Sequence, residues 1–334
     1  MSKVRALDVI GCAAIAACVV MVGGTGQATA QDKYPSRPID VVVTFGPGGG
    51  ADLMGRKFSQ LAEPILGVAL PVANIAGASG NAGLTRVRTS PADGYSVATL
   101  IALSVSSWAA GIGTHKPEDF KYVGMMQSSP SMLFVPKSSP FKTYQDLVAH
   151  AKANPGKLRC ATSGYGTMDD ITLKYLATQG VNITNVPFGK PAERYASTVG
   201  SHTDLIYEEP GDVASFLKSG DLRPIIVFDE ARHAEFKDVP SSAELGLKIN
   251  DLPNFRTIAV HSDTPDDKVK VLADAAAKIL ASNEWKEFCA QTYTCTKPLS
   301  PADTAKLVKD FHKSVATYLE KFPTTAEEKA SSKK

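Results

Sequence analysis

The chain has 334 residues, 43% of them hydrophobic and 21% charged, with 36 Lys and Arg against 34 Asp and Glu. This composition excludes wholesale disorder and collagen-like sequence, and a near-neutral balance with basic and acidic residues intermixed gives no reason to invoke nucleic acid. The length exceeds what one compact core usually supports, so two domains are expected.

In chain order, Lys3 and Arg5 make a positive n-region, Val9 to Gly24 is apolar and small, and Ala28-Thr29-Ala30 is an A-x-A cleavage site before Gln31. Residues 1–30 therefore read as an export signal, with an apolar run shorter than a membrane span. Ile15-Ala16-Ala17-Cys18 also matches a lipobox, and the alternative is a lipid anchor at Cys18.

Strands and helices then alternate. Ile39 to Phe45 is a β-branched run suited to a strand covered on both faces, and Ala51 to Leu66 has helical apolar spacing. Val68 to Ala73 and Tyr95 to Leu103 read as the next strands, the latter after a Pro91-Ala92-Asp93-Gly94 turn. This βαβ pattern predicts an open α/β sheet with crossover helices. A second α/β set begins near Ser131: Met132 to Val135, Leu158 to Ala161, Asn185 to Pro187, Thr203 to Tyr207 and Leu222 to Phe228 read as strands. Thr143 to Ala153, Met168 to Gln179 and Val213 to Lys218 read as the helices between them. Phe255 to Val260 is a further strand. Two closing helices are announced by Thr264-Pro265-x-Asp267 and Ser300-Pro301-x-Asp303, each offering a capping hydroxyl, a first-turn Pro and an acid. The boundaries expected are 31–130 with 255–323 for one domain, 131–254 for the other, and a disordered tail over 324–334.

Cys289 and Cys295 stand at a spacing that a helix end followed by a turn closes, so a disulfide between them is a candidate in an exported chain. Cys160 sits in an apolar strand and reads as a small hydrophobe. With no C-x-x-C and no His nearby in sequence, no metal site is expected.

The densest chemical signal is Phe45-Gly46-Pro47-Gly48-Gly49-Gly50-Ala51-Asp52, where a strand gives way to a helix. Glycines let a ligand approach the backbone, and the free N–H groups of a first helical turn favour an anion. A P-loop needs Gly-Lys-Ser/Thr, and Gly50 is followed by Ala51-Asp52 instead. Gly46, Gly48 and Ala51 satisfy a dinucleotide fingerprint, but Val72-Ala73-Asn74 lacks its acid. The remaining readings are a carboxylate cradle, or a tight turn in which Asp52 caps a helix. Two more Gly/Ser loops, Asn74 to Gly83 and Thr162 to Thr167, follow strands, where open α/β sheets bind ligands.

These motifs, with Tyr34-Pro35-Ser36-Arg37-Pro38-Ile39, Pro91 to Tyr95, Val186-Pro187-Phe188, Lys218 to Arg223 and Val239 to Gly246, run in order along the chain. Together they resemble the Bug receptors, the extracytoplasmic solute-binding proteins of tripartite tricarboxylate transporters. The resemblance implies a two-domain, type II-like periplasmic binding protein, each domain an open, mostly parallel sheet flanked by helices. A monomer closes over a small carboxylated solute in a cleft between domains and hands it to a membrane permease, without a cofactor. It further implies that backbone groups of Gly48, Gly49, Gly50, Ala51 and Asp52 face those of Ser163, Gly164, Gly166 and Thr167 across one carboxylate. Phe45, Asn74, Ser104, Asp170, Phe188 and Glu208 are expected around them. Asp170 stands where the family usually has His, and Tyr207-Glu208-Glu209 adds acids near the cleft. That favours a monocarboxylate, amide-bearing or aromatic solute over a dicarboxylate. The rival class is an exported hydrolase with an unrecognised site. The six His residues come without H-E-x-x-H or a G-x-S-x-G serine, and Ser139-x-x-Lys142 and Ser215-x-x-Lys218 lack their companion motifs.

Overall fold

The computed structural model describes residues 33–249, 252–294 and 298–332. The export signal, Cys18 and Cys295 lie outside these described residues. Val41-Val42-Val43 forms β1 (Asp40–Val43), and its side chains alternate between two apolar layers, as a strand buried on both faces requires. Then come α1 (Gly50–Leu66), β2 (Val72–Asn74), α2 (Asn81–Arg88), β3 (Ser96–Ile101), α3 (Ala102–Ala109) and β4 (Phe120–Ser129). Across Pro130 the chain enters β5 (Ser131–Pro136), α4 (Tyr144–Ala153), β6 (Leu158–Thr162), α5 (Met168–Thr178), β7 (Ile183–Pro187), α6 (Pro191–Val199), β8 (Leu205–Glu208), α7 (Ala214–Ser219) and β9 (Leu222–Phe228). It returns through β10 (Asn254–His261) to α8 (Asp266–Ala281), α9 (Asn283–Gln291), α10 (Pro301–Lys321) and α11 (Ala326–Ser332).

Two five-stranded sheets result, ordered β2-β1-β3-β10-β4 and β7-β6-β8-β5-β9. Their plans are the same. Three parallel strands are followed by one antiparallel strand, β10 or β5, and then by an outer strand that pairs with it. In each sheet that antiparallel strand begins just where the chain arrives from the other sheet. The first sheet is covered on one face by Met54 and Phe58 of α1 and Leu272 and Ile279 of α8. On the other face lie Leu84, Trp108 and Phe311.

Most expected elements appear with shifted ends. Ser300 caps α10 by accepting from the Asp303 N–H, with Pro301 at the first position, as expected. At α8 the cap position falls on Pro265, and the Thr264 hydroxyl is buried without capping the helix. The strand expected to run to Leu103 stops at Ile101, and α3 takes over. The tail expected to be disordered carries α11: Glu328 accepts from the Thr325 N–H and pairs with Lys174 of α5 at 3.2 Å, an anchor that composition alone does not reveal. Cys289 is buried within α9.

Candidate functional site

The parallel strands of both sheets end toward one another, and the segments that follow them enclose a cavity of about 410 Å³. From the first sheet come Phe45 and the start of α1, the turn Ala76–Gly80, and Ile101 with Leu103. The second sheet contributes Ser163, Met168 and Asp169, then Pro187 to Gly189 with Pro191, Arg194 and Tyr195, and finally Tyr207, Glu208, Glu209 and Asp212. Asn254 and Arg256 of β10 close the cavity on the side where the chain returns, and Asn254 donates to Ser131 Oγ at 2.5 Å, tying the two crossing points together.

Gly49 occupies the cap position of α1 with no side-chain cap, and its carbonyl accepts from the Asp52 and Leu53 N–H groups, each at 3.0 Å. Gly48 has φ +85°, a left-handed conformation that favours glycine, and its N–H donates to Asp52 Oδ2 at 3.1 Å. Asp52 also accepts from Arg56 and from Asn74, and Asn74 donates in turn to the Phe45 carbonyl, each at 2.9 Å. Asp52 and Asn74 thus brace the loop from outside the cavity. Burial alone would raise the Asp52 carboxyl, but bonds from Arg56, Asn74 and Gly48 hold it below its ordinary value. The Gly50 N–H donates to Asp212, and a Cβ at Gly50 would lie 1.9 Å from Asp212 Oδ1. The chain's own carboxylate therefore sits at the positive end of α1.

The second glycine loop is satisfied in the same way. Asp169 Oδ2 accepts from the Ser163 N–H at 2.7 Å and from its hydroxyl at 2.5 Å. The Gly166 N–H donates to Asp170 at 2.9 Å, the Gly164 N–H to Thr162 Oγ1 at 3.3 Å, and Thr167 caps α5 while donating to the Gly164 carbonyl. Asp170 is buried beneath the loop, where it also meets Lys174 and Asn185. These N–H groups, expected to hold a solute carboxylate, are turned to the first-turn acids and the strand end instead.

Of the residues singled out in the sequence, Phe45, Gly49, Gly50, Ala51, Ser163, Phe188 and Glu208 line the cavity. Gly48, Asp52, Asn74, Gly164, Gly166, Thr167 and Asp170 do not, because they shape the two loops from behind. Ser104 does not line it either. It is buried behind Gly80, where an added Cβ would lie 2.6 Å from its hydroxyl. Glu209, which the sequence placed near the cleft, lines the cavity too; not anticipated there were Asp169, Tyr195, Asp212, Asn254 and Arg256. Their signal was available in part, since Arg256 stands in a strand, Asn254–His261, that is buried along its whole length and holds no other Lys, Arg, Asp or Glu.

Charge is concentrated in this cavity. Arg194 pairs with Glu208, and Arg256 with both Glu209 and Asp212. Glu208, Glu209 and Asp212 bring carboxylate oxygens within 4.8 Å of one another. Burial pushes the Asp212 carboxyl well above its ordinary value and the Glu208 charge adds to the rise, against opposing contributions from Arg194 and the Gly50 N–H. The Asp169 carboxyl is also raised, by burial first and by Glu208, with Arg194 and Ser163 opposing. Burial lowers the Arg256 guanidinium to about 10, which leaves it charged at neutral pH. The Tyr195 phenol is pushed up by burial and by the charges of Glu208 and Asp212, and its hydroxyl has no hydrogen-bond partner among the described residues.

Residues 54–322 match the model of the tripartite tricarboxylate transporter family receptor. The chain is 32% identical over 284 residues to the UPF0065 protein in the gbd 5′ region of Cupriavidus necator, covering 84% of this chain and 86% of that one. It is 28% identical over 253 residues to protein BugT of Bordetella pertussis, 74% of this chain and 75% of that one. Among solved structures, Rpa4515 of R. palustris with adipate superposes with a TM-score of 0.80 at 24% identity, over 86% of this chain and 97% of that one. With a family match across most of its length and two sheets of the same plan facing one cavity, the chain belongs to the tripartite tricarboxylate transporter receptor family, the Bug receptors.

Proposed function

We propose that this protein is the periplasmic receptor of a tripartite transporter and captures a small carboxylated organic solute in the cavity between its sheets, then presents it to the membrane permease. The observation that carries this reading is the cavity itself, walled by both sheets, of a size for a small organic acid and open to the start of α1. A fold neighbour that holds adipate supports the solute class. The chain acts as a monomer, reaches the periplasm by an export signal ending at Ala30, and binds without turnover. Residues 31–130 with 255–323 move as one domain and 131–254 as the other. Phe45, Gly49, Gly50, Ala51, Ser163, Phe188 and Glu208 contact the solute.

A thermal-shift screen of small carboxylates tests this. A ligand present at about one hundred times its Kd stabilises the folded state by about 2.7 kcal/mol, which a melting curve resolves. Stabilisation by one or more carboxylates, with the compound recovered intact, is the expected result. Consumption of a carboxylate with no stabilisation by any would overturn the receptor reading in favour of an exported hydrolase.

A further inference from the structure

The cavity holds four carboxyl groups, Asp169, Glu208, Glu209 and Asp212, against two guanidiniums, Arg194 and Arg256, so the acids still outnumber the cations when Asp212, raised by burial, keeps its proton. Both guanidiniums are already paired, so neither is free to neutralise a second carboxylate on a solute. The helix ends do not redress the balance. Asp212 takes the Gly50 N–H of α1, and Asp169 lies in the first turn of α5 with the Ser163 N–H bound to it. Asp169 is 3% exposed and Glu208 6%, so solvent does little to screen the excess. Four aromatic rings, Phe45, Phe188, Tyr195 and Tyr207, stand in the remaining wall among glycine and aliphatic residues, and ring faces attract cations.

A second, independent feature points to a ligand. Tyr195 is 5% exposed and lines the cavity, yet its hydroxyl has no partner among the described residues. A Cβ built on Gly49 would stand 3.9 Å from that hydroxyl, which places it beside the N-terminus of α1. A buried phenol left unpaired is costly, and a solute carboxylate at the helix end would accept from it.

We infer that the solute is a small zwitterion, with one carboxylate held by the Tyr195 hydroxyl beside the start of α1, and a cationic nitrogen set among Asp169, Glu208 and the aromatic rings. The inference rests on the receptor reading and narrows it. It excludes dicarboxylates, whose second carboxylate would meet acidic groups and two guanidiniums that are already paired.

The test is calorimetry on the full chain with triplets matched in length: valerate, 4-aminobutyrate and glutarate, then 4-ethylbenzoate, 4-(aminomethyl)benzoate and terephthalate. We expect the zwitterion of at least one triplet to bind ten-fold or more tighter than both of its partners. Asp169→Asn should cut that preference at least ten-fold, and Tyr195→Phe should weaken the zwitterion and the plain monocarboxylate alike. The two variants stand in for each other if one fails to fold. A dicarboxylate that binds as tightly as its zwitterion, or a preference untouched in the folded variants, overturns the inference and leaves the receptor reading standing. Absence of binding by every compound in both triplets, together with a carboxylate screen that also fails, removes the receptor reading and the inference with it.

Discussion

At Gly50 there is no room for a side chain, because Asp212 Oδ1 and a terminal nitrogen of Arg256 would lie 1.9 and 2.4 Å from its Cβ. Its N–H also donates to Asp212 in the cavity wall. Gly50→Ala should therefore force Asp212 and Arg256 aside and weaken solute binding at least ten-fold, with a stability cost of about 1–3 kcal/mol. Calorimetry with circular dichroism checks this, and unchanged affinity would remove the start of α1 from the site. Gly49 differs, since its backbone is ordinary and an added Cβ would press only on the Pro191 ring at 3.2 Å. Asp170 illustrates how a residue at a telling position can have a structural role. It departs from the family where selectivity was expected, yet it lies under the second loop, bound to Gly166, Lys174 and Asn185. Asp170→His should cost about 3 kcal/mol and leave the ranking of solutes unchanged, because a buried, hydrogen-bonded carboxylate is lost and its partners are stranded. A melting curve and a competition titration separate the two outcomes.

Among the elements, α5 and the loop before it are coupled through Thr167, whose hydroxyl caps the helix and donates to the Gly164 carbonyl at 2.8 Å. Thr167→Ala should destabilise the protein by about 1 kcal/mol and loosen the position of Ser163, whereas Thr167→Ser should restore both. Urea melts measure the first effect and amide exchange at residues 163–166 the second. The elements that sequence periodicity failed to announce were hidden for separate physical reasons. The helix α3 is buried almost all round, so it presents no polar face to set a 3.6-residue period. The short α2 follows a glycine-rich turn that reads as a loop, and Gly124, with φ +132°, interrupts the alternation of β4.

For the molecule as a whole, the contact between Arg256 of the first sheet and Glu209 and Asp212 of the second joins the two halves across the cavity. Solute should shift an equilibrium between open and closed forms, seen as a smaller radius of gyration in solution scattering. Identical curves with and without saturating solute would count against it. The raised Asp212 carboxyl adds a pH dependence. The folded state holds that proton more tightly than the unfolded chain, so this contribution is most favourable in acid. It declines as the pH rises from the ordinary carboxylate range through the raised value. Asp212→Asn removes the decline, and the difference in melting temperature should move in the variant's favour between pH 4 and pH 8. A constant difference would show that Asp212 ionises in the fold as it does in the unfolded chain.

Local pattern determined a great deal about this protein. The β-branched runs, the Gly/Ser loops after strands and the Ser300-Pro301 helix start each depend on neighbours in sequence, so the alternating α/β architecture and most cavity-facing loops were legible there. The family resemblance followed from the same motifs in order. What the tertiary structure alone decided is the chemistry inside the cavity. Arg256 meets Glu209 and Asp212 from more than forty residues away, and Arg194 meets Glu208 from the adjoining element. Whether a glycine loop offers its N–H groups to a solute depends on which acids already hold them. That occupancy is set by side-chain packing across two sheets, which no spacing along the chain records.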